Sequence, residues 1–438
     1  MKVLLVSPLG GPNPQRTGRG VLPPLSLLTV AGLTPPGVEV RLVDEAVEEV
    51  DFDGDWDLVG ITATTAQANR AYQIAHAFRS RGVPVVLGGI HPTALPEEAA
   101  QHADAVVIGE AEGLWPQVVE DCRRGNLARF YRHERFPELT NVRPRRDLLK
   151  KGAYLTTATV QVTRGCPYNC SFCSVTRFFG GTIRQRPIRE VIEEVRSLKE
   201  RLVVFVDDNI MGNPGYARKL FAALKELGKR WVSQASLPQL QDEELVKLAA
   251  ESGCRGLFIG FESLSATELS KLRKLHNDTK NYINTVKRLH RYGIGVIGAF
   301  ILGLDGDDRS VFDRIKEFAF KARIDLLQAS ILTPLPGTRL FAELEKEGRI
   351  IDRDWSKYNG NNVVFRPLKI TPEQLQEGFQ RLLSQAYSIP GILRRLGIFH
   401  NRWPVFGTLN LVFRHGVKNY CRKVRQLGYA MAPRATHL

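Results

Sequence analysis

Short apolar runs alternate with amphipathic stretches over the first quarter of the chain. Runs bounded by turn residues predict buried strands, and apolar residues at helical spacing predict a helix from Gln67 to Arg81. The predicted strands are Val3 to Val6, Val38 to Val43, Leu58 to Thr62, Val83 to Leu87 and Ala105 to Ile108. Strands that alternate with helices predict an α/β fold, here a doubly wound, Rossmann-like parallel sheet over residues 1–125.

A second alternation begins after a basic, proline-containing stretch, which we interpret as a linker at residues 126–158. Its predicted strands are Ala158 to Val162, Leu202 to Val206, Trp231 to Gln234, Leu257 to Phe261, Val296 to Leu302 and Leu326 to Leu332. Helices are predicted near 188–200, 214–227, 242–252, 279–292, 309–322 and 338–347. Six strand–helix units predict a partial (β/α)6 barrel over 159–347, and residues 348–438 predict a mainly helical extension.

Parallel α/β folds bind ligands at the carboxyl ends of their strands, so the residues that follow each predicted strand are candidate binding residues. After the N-terminal strands, the candidates for contacts with a large ligand are Leu9, Gly10, Thr64, Thr65, Gly88, Gly89, Ile90, His91, Gly109 and Glu110. The glycines there let the backbone approach a ligand closely. No G-x-G-x-x-G run occurs among them, so a nicotinamide cofactor is not indicated.

Three cysteines follow the first barrel strand at C-x3-C-x2-C spacing: Cys166, Cys170 and Cys173. Three thiolates on one loop can ligate three irons of a 4Fe–4S cluster and leave the fourth iron open to a small molecule. The alternative is a zinc site, which normally closes with four ligands. The nearest downstream histidine is His276, about a hundred residues away, which favours the cluster.

The net charge of +15 is concentrated near the C-terminus. No Asp or Glu follows Glu377, whereas residues 391–438 contain nine Lys or Arg together with many apolar and aromatic residues. Such a segment can lie on an anionic membrane surface or form a helical cap on the barrel, and both interpretations stay open. The first residues resemble neither a signal peptide nor a spanning helix, so a cytoplasmic location is expected, either free or at the inner face of a membrane.

The segment from Val162 to Ser174, with its three cysteines, resembles the signature of the radical S-adenosylmethionine (SAM) enzymes. In that family SAM binds the open iron, and its reductive cleavage yields a 5′-deoxyadenosyl radical. The resemblance implies that Asp207 and Asp208, after the second barrel strand, are catalytic candidates. It also implies contacts to SAM from Phe172, Gly260, Glu262, Ser263, Gly298, Gly303 and Pro334. A plain packing role for Phe172 and helix capping by Ser263 or Ser265 are the alternatives.

Residues 1–125 resemble the cobalamin-binding domain that precedes the radical domain in one large subfamily, class B radical methyltransferases. The resemblance is carried by strand order and by the runs from Gly88 to Thr93 and from Ile108 to Glu112. It implies that the ten candidates after the N-terminal strands contact cobalamin. The D-x-H-x-x-G element that ligates cobalt elsewhere is missing. His91 is therefore expected not to ligate cobalt, and we interpret it as a loop histidine that contacts backbone or solvent.

The resemblance implies three cofactors, namely the 4Fe–4S cluster, SAM and cobalamin, and radical methylation of an unactivated carbon with methylcobalamin as donor. An electron donor such as flavodoxin or ferredoxin is then required. The apolar, basic tail favours a small-molecule or lipid substrate, for instance an isoprenoid, and nucleic acid is not expected. Cyclisation, ring contraction or another rearrangement with the same cofactors stays open, as does a cobalamin or redox sensor without turnover.

Overall fold

A computed structural model describes residues 1–12, 21–397 and 403–426. The N-terminal unit comprises β1 (Lys2–Ser7), α1 (Leu25–Leu33), β2 (Glu39–Asp44), β3 (Leu58–Thr62), α2 (Ala68–Arg79), β4 (Val85–Gly88), α3 (Ile90–Ala94), α4 (Pro96–His102), β5 (Ala105–Ile108), α5 (Leu114–Arg123) and β6 (Phe130–Arg132). The strands form one parallel sheet in the order β2-β1-β3-β4-β5-β6. The predicted doubly wound sheet is confirmed.

Both faces of this sheet are covered, which explains why its strands are continuously apolar rather than alternating. Val3 and Leu5 of β1 belong to the core on one face, and Leu4 and Val6 belong to the core on the other. Strand β6 was not predicted, and it lies within the segment interpreted as a linker. Its three residues have no apolar run to mark them, and pairing with β5 alone defines the strand.

The barrel comprises β7 (Thr159–Val160), β8 (Thr163–Arg164), α6 (Val175–Phe179), β9 (Arg184–Gln185), α7 (Ile188–Ser197), β10 (Leu202–Phe205), α8 (Pro214–Lys225), β11 (Arg230–Gln234), α9 (Glu243–Glu251), β12 (Cys254–Glu262), α10 (Ala266–Lys271), α11 (Tyr282–Arg291), β13 (Gly295–Leu302), α12 (Val311–Lys321), β14 (Leu326–Ile331) and α13 (Arg339–Lys346). Six strands pair in parallel in the order β7-β10-β11-β12-β13-β14, and β8 and β9 form a separate antiparallel hairpin. The expected partial barrel is confirmed, with β7 and β14 at its open edges.

The C-terminal extension consists of α14 (Pro372–Ala386), α15 (Ile389–Leu396) and α16 (Thr408–Gln426). It packs on the barrel end at which β13 begins, since Phe406 lies against Gly295 and Gly256. The fully buried Arg395 donates hydrogen bonds to the carbonyl oxygens of Ile324 and Asp325. This part of the tail therefore forms a helical cap. Residues 398–402 and 427–438 lie outside the described residues.

Candidate active site

The three cysteines lie on a loop that the β8–β9 hairpin closes at its base. Gly165 begins the loop at φ +91°, and a Cβ there would stand 2.2 Å from the carbonyl oxygen of Thr182, so the close approach requires glycine. All three cysteines line a cavity of about 680 Å³ at the carboxyl ends of the barrel strands. The N-terminal unit also lines this cavity, with Thr64, Thr65 and Ile90, and so does the C-terminal extension, with Tyr358, Asn359 and Gly360.

The donor set fits a cluster anchored at three corners. Burial raises the pKa of Cys170 to about 11 and that of Cys173 to about 12, so thiolates there need a strong positive charge nearby, which iron supplies. Within the described ranges, no three His, Cys, Asp or Glu side chains come close enough to hold one metal ion between them. A 4Fe–4S cubane instead takes each cysteine sulfur on a different iron.

A buried ion pair lies beside the cysteines in the same cavity. Lys274 Nζ lies 2.6 Å from Glu262 Oε1, and both side chains are nearly buried. Burial disfavours the charge on Lys274, but Glu262, Cys170 and Cys173 together raise the pKa of the lysine above its usual value. Glu262 sits at φ +62°, where the register of β12 on β13 shifts. This strained position at the end of β12 directs the Glu262 carboxylate into the cavity, where it meets the Lys274 ammonium.

Gly260 makes room for this pair. A Cβ at Gly260 would stand 2.2 Å from Glu262 Oε1 and 2.8 Å from Lys274 Nζ. The sequence analysis selected Gly260 and Glu262 but missed Lys274, because its place follows from the turn after α10 and not from a motif. That turn is closed by a hydrogen bond of 2.8 Å from the Lys274 N–H to the carbonyl oxygen of Leu269.

The two consecutive aspartates after β10 have different surroundings. Asp208 lines the cavity, burial raises its pKa to about 6, and its Oδ2 has no hydrogen-bond partner among the described residues. Asp207 is fully buried and accepts hydrogen bonds from the backbone N–H groups of Val162 and Thr163 and from the Thr163 hydroxyl. The expectation for Asp207 is therefore corrected: it fixes the start of the cluster loop and does not reach the cavity.

The two glycines expected to contact SAM from β13 and its end, Gly298 and Gly303, are not the residues that line the cavity. A Cβ at Gly298 would face Ile324 and Phe261 in the core, and one at Gly303 would face Leu375 and Phe365. The residues that line the cavity from β13 are Ala299, Phe300 and Ile301. Neither Gly298 nor Gly303 lines the cavity, and both pack against buried side chains, which corrects the expectation that they contact SAM.

Of the remaining barrel candidates, Phe172 lines the cavity. Pro334 does not, although its neighbours Thr333 and Leu335 do. The Ser263 hydroxyl accepts a hydrogen bond from the Ser265 N–H, so Ser263 lies in the turn that precedes α10. The residue that caps this helix is Ser265, whose hydroxyl accepts from the Glu268 N–H, so the capping alternative holds for Ser265 and not for Ser263.

A second cavity of about 310 Å³ lies at the carboxyl ends of β1, β3, β4 and β5. Gly88, Gly89, Gly109 and Glu110 line it, whereas Thr64, Thr65 and Ile90 line the cysteine-bearing cavity, so the expected cobalamin contacts divide between two neighbouring spaces. Leu9 and Gly10 line neither. The Leu9 N–H donates to Glu45 and Gly10 packs against Gln67, which corrects both expectations.

The second cavity is built by both units of the chain. The barrel contributes Gln161, Arg164, Phe178, Phe179 and Val206 to its wall. Glu110 is buried and forms ion pairs with Arg164, at 2.5 Å, and with Arg184. Both arginines lie at the base of the cysteine loop. The carboxylate predicted to contact cobalamin therefore has two arginine partners already, and it joins the two units.

His91 is fully buried, which corrects its interpretation as a histidine exposed to solvent or bonded to backbone. Its Nε2 lies 3.1 Å from the Tyr72 hydroxyl and 3.3 Å from Glu98 Oε1, and its Nδ1 lies 3.4 Å from the Thr65 hydroxyl. Trp355 of the extension donates its indole N–H to the same Glu98 oxygen at 2.9 Å. With both ring nitrogens occupied, His91 anchors the Thr65 loop and is not placed to ligate a metal.

Comparison with known proteins assigns separate families to the N-terminal unit and to the barrel. Family models match the chain at residues 16–119 (B12 binding domain), 160–319 (radical SAM superfamily) and 338–404 (a domain of unknown function, DUF4070). The bacteriochlorophyllide d C-12(1)-methyltransferase of Chlorobaculum tepidum is 34% identical over 90% of this chain and 89% of its own length. The chain belongs to the cobalamin-binding radical SAM enzymes. Its predicted cofactors, the 4Fe–4S cluster, SAM and cobalamin, and its class, the radical SAM C-methyltransferases, are confirmed at the level of this family.

Two further proteins illustrate the range of this radical SAM family. The hopanoid C-2 methylase of Rhodopseudomonas palustris is 28% identical over 85% of this chain and 73% of its own length. The radical SAM methyltransferase TsrM of Kitasatospora setae, solved with cobalamin and a 4Fe–4S cluster bound, has a TM-score of 0.67 over 97% of this chain and 99% of its own. Because the identity is only 18%, the similarity to TsrM supports the fold of this chain and nothing beyond the fold.

Proposed function

We propose that this enzyme methylates an unactivated carbon of a large, mainly apolar ring compound, with both cavities acting on one substrate. When bound, the cluster with SAM supplies a hydrogen-abstracting radical, and cobalamin supplies the methyl group. The observation that carries the proposal is the position of the cysteine-bearing cavity, which is walled by residues of the cobalamin-binding unit as well as by the barrel.

Glu262 and Lys274 would hold the amino acid end of SAM. The two side chains now pair with each other at 2.6 Å. In the complex, the Glu262 carboxylate would instead bind the ammonium of the methionine group, and the Lys274 ammonium would bind its carboxylate. Because Glu262 and Lys274 lie beside Cys170, they would hold the methionine group next to the one iron that has no cysteine ligand. Gly260 keeps the space open, as its missing Cβ shows.

Asp208 would accept a hydrogen bond from a bound hydroxyl or amino group. Asp208 lines the cavity and its buried Oδ2 has no hydrogen-bond partner among the described residues. A buried carboxylate oxygen without a donor is costly unless a ligand satisfies it. Phe172, Ala299 and Ile301 supply apolar walls to the same space.

Cobalamin would occupy the second cavity with part of its structure and extend towards Thr64, Thr65 and Ile90. Gly88 and Gly89 lie at this edge of the sheet and leave the backbone bare. Gly109 contributes the same property, since a Cβ there would meet nothing within 4 Å. His91, Glu98 and Trp355 hold the Thr65 loop from behind.

The substrate class is supported by the relatives and by exposed apolar side chains on α16. Relatives named for bacteriochlorophyllide and for hopanoid methylation act on large ring systems, a tetrapyrrole and a polycyclic isoprenoid lipid. The described part of α16 exposes 52% of Leu411 and 60% of Val412 on a basic helix, which supports transient contact with an anionic membrane from which such a substrate could be drawn. No described helix is both long and apolar enough to cross a membrane.

The test is an anaerobic assay of protein loaded with cluster and cobalamin, with reductant and SAM carrying a deuterated methyl group. A hopanoid and a bacteriochlorophyllide are offered as separate substrates. We expect one product to gain one labelled methyl group, together with 5′-deoxyadenosine and S-adenosylhomocysteine. Formation of 5′-deoxyadenosine with a rearranged, unmethylated product would overturn methylation, and failure of both ring systems would overturn the substrate class.

A further inference from the structure

A further cavity of about 510 Å³ lies in the C-terminal extension, where α16 packs beside α14. It is lined by Ser384 and Tyr387 from the end of α14 and by Arg414, Val417, Lys418, Cys421 and Arg422 from α16. Its volume lies within the range of small-molecule sites, about 300–1,000 Å³. Three of the seven lining residues are cations and none is a carboxylate, so the lining favours an anion as ligand.

The three cations form one row along α16. Residues four apart on a helix are neighbours on its surface, so Arg414 is followed on the same side by Lys418 and then by Arg422. Within the residues that the structure describes, none of the three forms an ion pair. Their own helix offers no carboxylate, since no Asp or Glu follows Glu377. Like charges four residues apart repel each other, and an anion bound between them would replace repulsion with attraction.

Arg414 is held at the wall of this cavity. Its Nη1–H donates to the carbonyl oxygen of Tyr387 at 2.9 Å, which joins α16 to the end of α14. In the described part of the chain, its other N–H groups have no hydrogen-bond partner. A guanidinium with free N–H groups binds two oxygens of a phosphate at once, and a lysine beside it adds a point charge. The donor set therefore fits a phosphate group.

The apolar neighbours of the row favour a phosphate that belongs to a membrane lipid. Leu411 precedes Arg414 by three residues and Lys418 by seven, so the three side chains share one face of α16. Leu411 is 52% exposed, and Val412 next to it is 60% exposed. A soluble phosphate would leave these side chains in water, whereas a helix that lies in the headgroup region of a bilayer buries them.

The opposite face of α16 supports a wall of the cysteine-bearing cavity. Tyr420 follows Leu411 by nine residues, about two and a half helical turns, and so lies on the other side of the helix. Its hydroxyl donates to the carbonyl oxygen of Asn361 at 2.8 Å, and Gln376 donates to the same oxygen at 2.9 Å. The preceding residue, Gly360, lines the cysteine-bearing cavity. A membrane on one face of α16 would therefore lie across this helix from that wall.

We propose that the cavity between α14 and α16 binds the phosphate headgroup of an anionic phospholipid and thereby seats α16 on a membrane surface. The inference rests on the proposed function for its purpose alone, since it brings the enzyme to the phase in which an apolar ring substrate dissolves. The binding itself needs neither SAM nor a substrate.

The test measures binding of the full chain, loaded with cluster and cobalamin, to phosphatidylcholine vesicles with and without phosphatidylglycerol. We expect the protein to sediment with the vesicles that contain phosphatidylglycerol and to stay in solution with phosphatidylcholine alone. Lys418→Gln/Arg422→Gln removes two exposed charges, so the fold should persist. The affinity for the anionic vesicles should fall about 30-fold. Ser384→Trp fills the cavity without a change in charge and should lower that affinity about tenfold.

The matched control is Arg196→Gln/Lys247→Gln, which removes the same charge from exposed positions on α7 and α9 and should bind as the wild type does. Wild-type affinity in Lys418→Gln/Arg422→Gln or in Ser384→Trp, or an equal loss in the control, would overturn the cavity as the headgroup site. Glycerol 3-phosphate that binds as tightly as the vesicles would overturn the lipid source. Because SAM is absent from this test, its failure leaves the proposed methylation standing, and a failed methylation assay leaves vesicle binding standing.

Discussion

The two cavities meet at one edge, yet they are built on opposite principles. The barrel cavity concentrates reactive groups, since three thiols, the Glu262–Lys274 ion pair and Asp208, whose Oδ2 has no hydrogen-bond partner among the described residues, all line it. The second cavity is lined mainly by apolar residues and glycines, and its carboxylates Glu110 and Glu112 are already bound by arginines. One space is prepared to bind and activate charged groups, and the other to enclose a large molecule by shape.

The variant Cys170→Ala should have the largest effect, because it should abolish the function of the barrel cavity and leave that of the second cavity intact. Two cysteines cannot hold the cubane at three corners, so we expect loss of iron and of all 5′-deoxyadenosine formation. Cobalamin binding should persist, because no cysteine lines the second cavity. Iron content and the absorbance of bound cobalamin measure the two outcomes, and simultaneous loss of cobalamin would break the comparison.

Glu110→Ala should destabilise the contact between the two units. It leaves Arg164 and Arg184 buried without this partner, which costs about 3–5 kcal/mol in the free energy of unfolding.

Glu120→Ala is the matched control, since Glu120 pairs with Arg124 at the exposed end of α5 and should cost at most about 1 kcal/mol. Urea denaturation of both variants gives the comparison. Equal losses would contradict the role assigned to Glu110.

Replacing either member of the ion pair should act on SAM and not on cobalamin. Glu262→Gln or Lys274→Met removes one charge-assisted hydrogen bond to the methionine group, so we expect SAM affinity to fall by about 30-fold, or about 2 kcal/mol. Isothermal titration calorimetry of the cluster-loaded protein with SAM measures this affinity. The double variant should lose less than the sum of the single losses, and strict additivity would argue against a shared ligand group.

The smallest expected effect concerns the shape of the second cavity. Gly88→Val places a side chain where a Cβ meets only ordinary contacts, the nearest being Val107 at 3.8 Å, so the fold should persist. The added methyl groups occupy ligand space and should lower cobalamin affinity about tenfold, or about 1.4 kcal/mol. SAM affinity should not change. Unaltered cobalamin binding would show that the ligand does not enter this cavity.

The sequence predicted the order of elements well and the direction of individual residues less well. Each of the eleven strands predicted in the two sheets has a counterpart in the structure, because buried parallel strands form apolar runs that are easily recognised. The same continuity hides which face of β13 meets the cavity. Gly298 was therefore selected where Ala299 and Ile301 line the space.

Contacts between distant parts of the chain could not be predicted from the sequence. Glu110 pairs with an arginine 54 residues later, and Glu98 meets Trp355 from the extension. Neither partner could be deduced from local spacing, so Glu110 was assigned to a ligand and His91 to solvent. The cysteine motif was different, because its three ligands lie on one loop and their spacing alone indicates the chemistry.

The central claim is that the cluster bound by three cysteines leaves one iron for SAM. Electron paramagnetic resonance of anaerobic, reduced protein with and without SAM tests it most directly. We predict the signal of a reduced 4Fe–4S cluster whose g values shift when SAM is added. A signal that SAM does not alter, or a preparation that contains zinc and no iron, would contradict the account.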